Sequence, residues 1–128
     1  MRLLLDTHAL LWWLDGDRSL TRRARTAITA QDNVIFVSTA SAWEITTKSR
    51  LGKLPGADAV AADVVGSVAA QGFSSLHITM RHAQRAGRLP GTHRDPFDRM
   101  LIAQAQLDDL TLVSNDTAFD GYGVSRLW

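Results

Sequence analysis

The side chains of this sequence best suited to chemistry are carboxylates, and the informative ones are Asp6, Glu44, Asp98 and Asp116. Each also has an ordinary structural use. Asp6, just before Thr7, can cap a helix by accepting its orphan N–H bonds. Asp95 ahead of Pro96 makes a strong N-cap with proline at the first helical position, which puts Asp98 in the place of a capping-box acid. Asp116 can cap a short turn over Thr117 to Asp120. Glu44, the only glutamate in the chain, can pair with Lys48 one helical turn later. Two of them resist the structural explanation. Asp98 aligns with Leu101, Ile102 and Ala105 at helical spacing, and a carboxylate on a core-facing stripe is costly unless something pairs with it. Glu44 lies among Ala40, Trp43, Ile45 and Leu51, so its helix reads as packed against neighbours.

If these acids meet, the energetics select a partner. Two carboxylates about 4 Å apart repel by roughly 4 kcal/mol at an effective dielectric of about 20. Three or four together destabilise an empty fold or force protonation, and a divalent cation removes that cost. An all-oxygen donor set favours Mg²⁺ or Mn²⁺ over zinc. His8, His77, His82 and His93 lack zinc-motif spacing and read as structural or peripheral. Cysteine is absent, so disulfides and thiolate chemistry are excluded.

The elements that must bring the acids together are short apolar strands alternating with helices. Leu3-Leu4-Leu5, Val34 to Val37, Leu76-His77-Ile78, Leu110 to Val113 and Val124 to Leu127 read as strands. Helices are expected over Thr7 to Leu14, from an N-cap at Ser19 to Ala30, over Ser38 to Leu51, over Ala57 to Ala70, from a cap at Thr79 to about Ala86, and over Pro96 to Leu107. Asn115 to Asp120 reads as a short helical turn. Uniformly apolar strands separated by helices imply a three-layer α/β/α sandwich with a mainly parallel central sheet. In such sheets ligands bind beyond the carboxyl ends of the strands. Asp6 follows the first strand, Ser38 precedes the helix that carries Glu44, and Ser114, Asn115 and Asp116 follow the strand at Leu110 to Val113. Asp98 lies in the first turn of its helix, so several carboxylates are expected on one edge of the sheet.

The chain as a whole sets looser limits. Its 128 residues fit a single domain spanning 1–128, and 45% hydrophobic residues suffice for a core. A formal net charge of +1 is too mild to announce nucleic-acid binding by composition. No apolar run approaches the roughly 20 residues of a membrane span, and Asp6 interrupts the N-terminal leucines too early for a secretory signal. A soluble cytoplasmic protein is expected. Of the tryptophans, adjacent Trp12 and Trp13 cannot easily both face inward, which points to an interface for one of them.

Four segments together resemble PIN domains, particularly VapC-type toxins. Leu5-Asp6-Thr7-His8-Ala9-Leu10-Leu11-Trp12 is similar to the family's opening motif, and Ser38-Thr39-Ala40-Ser41-Ala42-Trp43-Glu44-Ile45 to its second. His93-Arg94-Asp95-Pro96-Phe97-Asp98-Arg99-Met100-Leu101-Ile102-Ala103-Gln104-Ala105 resembles the third, and Leu112-Val113-Ser114-Asn115-Asp116 the fourth, where the family often has Thr-x-Asp. Any one motif is weak, but four in order span the chain. The resemblance implies Mg²⁺-dependent cleavage of RNA by a toxin that a cognate antitoxin restrains, and homodimerisation. It implies Asp6, Glu44 and Asp98 as core acids and Asp116 as a more variable fourth. Asp95 would be an accessory acid, and Ser114 would orient water or metal. Because RNA and the acids repel, Arg94, Arg99 and Lys48 are the candidates for contacting the RNA.

Two rivals belong to other classes. One is a PIN-like module that holds RNA or protein without cutting, against which the retained acids argue. The other is an aspartyl phosphatase or receiver-like domain. A haloacid-dehalogenase phosphatase wants a second aspartate two places after the first, where this chain has His8.

Overall fold

Leu3, Leu4 and Leu5 are wholly buried, and their alternation divides the core in two. Leu3 and Leu5 pack on one side of the sheet with Leu10, Ala24, Ile28 and Val68. Leu4 packs on the other with Leu101, Ile102, Leu112 and Phe119. The computed structural model describes residues 1–93 and 95–128. Strand β1 (Arg2–Leu5) leads into α1 (Thr7–Asp15) and α2 (Arg22–Thr29). Next come β2 (Val34–Ser38), α3 (Thr39–Arg50), α4 (Asp58–Ala62), α5 (Val64–Ala70), β3 (Ser74–Leu76) and α6 (Met80–Arg88). Helix α7 (Pro96–Asp108), β4 (Thr111–Val113), a 3₁₀ turn (Thr117–Tyr122) and β5 (Arg126–Leu127) complete the order.

The sheet runs β3-β2-β1-β4-β5, and every pairing is parallel. The three-layer α/β/α sandwich expected from the strand composition is therefore present. Winding proceeds outward from β1 through β2 to β3, then reverses to the other side through β4 and β5. The reversal opens a crevice beyond the carboxyl ends of β1 and β4, where ligands settle in open α/β sheets. Asp6 and Ser114 are the first residues past those two strands.

Most elements form where the sequence places them, and the exceptions have local causes. The second helix begins after Thr21, whose hydroxyl accepts from Ala24 N–H at 3.1 Å, and not after Ser19. The helix expected over Ala57 to Ala70 is broken at Asp63, whose carboxylate accepts from the Gly66 amide at 2.9 Å and so starts a new helix. Strand β3 lies two residues before the expected Leu76-His77-Ile78, because Ser74 and Leu76 pair with Phe36 and Ser38 of β2. Helix α6 is capped by Thr79 as expected, with His82 closing the capping box.

Trp12 and Trp13 are both half-buried. Trp12 packs between His8 and Trp128, with ring centroids 5.6 and 5.7 Å away. Trp13 packs on Phe73 and donates its indole N–H to Gln71 at 2.9 Å. The exposed indole is Trp43, at 62% of its surface, edge-on to Phe97. Among the described residues no helix is long and apolar enough to cross a membrane.

Candidate active site

Asp6, Asp95, Asp98 and Asp116 stand at the start of a helix or turn at the sheet's carboxyl edge, and Glu44 lies in the second turn of α3. Asp6 is the N-cap of α1, its Oδ1 accepting from Ala9 N–H at 2.7 Å. It is nonetheless only 7% exposed, and the fully buried Ser114 hydroxyl at the end of β4 favours its charged form. Ser38 caps α3, which carries Glu44 inward to 4% exposure. Asp95 caps α7 through the amides of Phe97 and Asp98, with Pro96 at the first helical position. Asp98 is then turned towards His93, whose Nε2 lies 3.0 Å from its Oδ2. Asp116 caps the 3₁₀ turn through Ala118 N–H at 2.9 Å, and the Ser114 hydroxyl accepts from its amide at 3.0 Å. As caps, Asp6, Asp95 and Asp116 are fixed at the sheet edge.

Asp6, Glu44, Asp95, Asp98 and Asp116 line one cleft of about 510 Å³, together with Lys48. Their charges sense one another. Burial foremost pushes the Asp6 carboxyl above its ordinary value; Ser114 and Ala9 oppose this, while the Glu44 charge adds to it. Burial likewise raises Asp98 to about 6, reinforced by Asp95 and Glu44 and opposed by the His93 hydrogen bond. The raised proton affinities thus reflect burial first and the neighbouring acids second.

What charge there is comes from the protein. Lys48 forms an ion pair with Glu44 Oε2, and its ammonium lies 3.8 Å from Asp95 Oδ2. Burial would lower the Lys48 ammonium, but Glu44, Asp95 and Asp98 overcome that and hold it above its ordinary value. Glu44 Oε1 accepts from the Thr7 hydroxyl, which also lies 3.0 Å from Ser41 Oγ. Both oxygens of Glu44 thus have protein partners. Among the described residues no three histidine or carboxylate side chains are grouped to hold one ion. The donors still suit a hard divalent cation: they are carboxylate oxygens, buried at Asp6 and Glu44 and half-buried at Asp95, Asp98 and Asp116, whose mutual repulsion is only partly relieved by Lys48 and His93.

The structure distributes the RNA-contact candidates differently. Lys48 lines the cleft. Arg99 instead donates to three main-chain carbonyls, those of Ala86, Leu89 and His93, and borders a separate apolar hollow with Trp43, Ile78 and Met100. Arg94 lies outside the described residues. Three participants were not read from the sequence as part of the site. Thr7 holds Glu44, His93 holds Asp98, and His8 lines the cleft beside Trp12. Thr7 stands next to Asp6 and His93 five residues before Asp98, so proximity in sequence was the available signal.

Comparison with known proteins agrees with this architecture. The PIN domain family matches residues 3–124. No curated protein sequence matches the chain. Among solved structures, VapBC2 from Rickettsia felis bound to a DNA fragment from its promoter is similar at 14% identity, covering 99% of this chain and 98% of that one, with a TM-score of 0.73. VapC20 from Mycobacterium tuberculosis, described as a Sarcin-Ricin loop cleaving toxin, shares 17% identity over 95% of each chain, with a TM-score of 0.67. A toxin–antitoxin complex from Klebsiella pneumoniae shares 21% identity over 90% of this chain and 87% of that one, with a TM-score of 0.56.

Proposed function

The chain belongs to the PIN domain family, and on that footing we propose that it is a Mg²⁺-dependent endoribonuclease, the toxin of a type II toxin–antitoxin pair. The observation that carries this reading is the acidic cleft at the reversal of the sheet, lined by Asp6, Glu44, Asp95, Asp98 and Asp116. Asp6 and Asp98 are the residues to hold Mg²⁺, or Mn²⁺ in its place, with Glu44 and Asp116 completing the set. A bound divalent ion supplies charge to polarise the scissile phosphate and lowers the pKa of a water that attacks it.

The chain's own residues do the rest. Ser114, at the end of β4, favours the charged form of Asp6 and ties the Asp116 amide into the same corner. Thr7 fixes Glu44, and Asp95 fixes the first turn of α7, so that Asp98 cannot swing away. Lys48 and Arg94 offset the repulsion between the acids and the RNA backbone, while Arg99 holds the main chain of Ala86, Leu89 and His93. A cognate antitoxin and a second copy of this chain are the proposed protein partners, and the cytoplasm the proposed compartment. Support for the antitoxin comes from the toxin–antitoxin systems among the similar structures.

The test is to map RNA ends after incubation with the purified chain and Mg²⁺. Defined new ends are expected with the wild-type protein, and loss of more than about a hundredfold in rate with Asp98→Asn, on the scale of losing a metal ligand or its close support. Excess EDTA is expected to abolish cleavage. Cleavage that persists in EDTA or in Asp98→Asn overturns the mechanism. RNA that is bound but never cut would make the chain a binding module instead.

A further inference from the structure

Among the described residues lining the cleft, Lys48 is the only lysine or arginine. Its ammonium touches both walls: Glu44 on its own helix α3, and Asp95 at the start of α7. The Phe97 ring lies beneath it, with its centroid 5.6 Å away. Glu44, in turn, has a partner on each oxygen, Thr7 on Oε1 and Lys48 on Oε2. An ion that takes Glu44 as a ligand must share an oxygen with one of these partners or displace it. The bond to Lys48 is the one that breaks at least cost, because repulsion between the ion and the ammonium drives the two apart while Thr7 repels neither.

We infer that Lys48 is a built-in counter-cation that occupies the metal's place on Glu44, and that binding a divalent ion and releasing Lys48 are a single event. This rests on the metal-dependent reading given above. It explains why the acids line one cleft without forming a ligand set. It also gives Lys48 its second position. Once displaced, the ammonium remains tethered beside the cleft on its four-carbon stem, free for a backbone phosphate at the moment the ion arrives. Two ligands that exclude each other from one carboxylate must weaken each other equally. Removing the charge of Lys48 therefore tightens the metal site.

The experiment measures Mn²⁺ binding to the chain without RNA, by electron paramagnetic resonance, so that activity is not the readout. Lys48→Met keeps the apolar stem over Phe97, and Lys48→Gln keeps a polar head without the charge. Both are expected to bind Mn²⁺ at least about fivefold more tightly than wild type, the lower end of ordinary coupling between sites. Lys48→Arg is expected to bind as wild type does. Without metal, Lys48→Met and Lys48→Gln are expected to melt at lower temperature than wild type, and Mn²⁺ to restore them, because the acids have lost their internal cation. If wild type binds Mn²⁺ and the neutral variants bind it no more tightly, the counter-cation role is wrong and the metal-dependent reading stands. If none of the folded proteins binds Mn²⁺, both fail together.

Discussion

Asp98 takes up a proton at about pH 6 because burial, and then the Asp95 charge, outweigh the hydrogen bond from His93. The sign of the consequence follows from linkage. Between the ordinary carboxyl value and about 6, the folded chain holds a proton that the unfolded chain has lost. The metal-free fold therefore loses stability as pH rises through that window. A metal ion must displace the same proton, so Mn²⁺ affinity is expected to fall by about tenfold per pH unit below about 6 and to level off above about 7. Titrations showing equal affinity at about pH 5 and about pH 7.5 would contradict the assignment of Asp98 as a ligand. Asp98 could be singled out from the sequence because an acid on a core-facing helical stripe conflicts with its neighbours. His93 and Thr7 offered only their nearness in sequence to Asp98 and Asp6, because their roles lie in the partners they meet, and those meetings depend on the fold. Arg99 shows the same limit in reverse. Its charge beside the third motif suggests a phosphate contact, yet its guanidinium is spent on the carbonyls of Ala86, Leu89 and His93.

That use of Arg99 joins α6 to α7 and holds the segment carrying His93, so its replacement acts on elements before it acts on chemistry. Arg99→Lys keeps the charge but loses the planar fork that reaches several carbonyls at once. It is expected to lower unfolding stability by about 1–2 kcal/mol, read from the midpoint of a urea titration. Unchanged stability would return Arg99 to the RNA-contact candidates. The elements themselves were readable to the extent that their signals were local. Strands β1, β2 and β4 are apolar on both faces, as a sheet covered on both sides demands, and Thr79, Asp95 and Asp116 cap where cap chemistry predicts. Strand β3 was misplaced because Leu76-His77-Ile78 has the composition of a strand, while the observed edge strand is set by pairing with β2. The break at Asp63 was readable in principle, since aspartate favours caps over helix interiors, but the alanine- and valine-rich surroundings outweighed a single residue.

Across the molecule, the reversal of strand order between β1 and β4 is what makes five acids neighbours. Asp6, Glu44, Asp95, Asp98 and Asp116 come from β1's end, α3, α7 and β4's end, the first and last of them separated by most of the chain. Composition said little of this: a net charge of +1 conceals an acidic cleft with one lysine in it. The arrangement is most directly tested by diffraction from crystals grown with Mn²⁺, using the anomalous signal of the metal. The account predicts a peak in the cleft within about 2.2 Å of oxygens of Asp6 and Asp98, with Glu44 released from Lys48 and joining Asp116 in the same coordination sphere. An empty cleft at saturating Mn²⁺, or a peak bound elsewhere while Lys48 stays on Glu44, would contradict it.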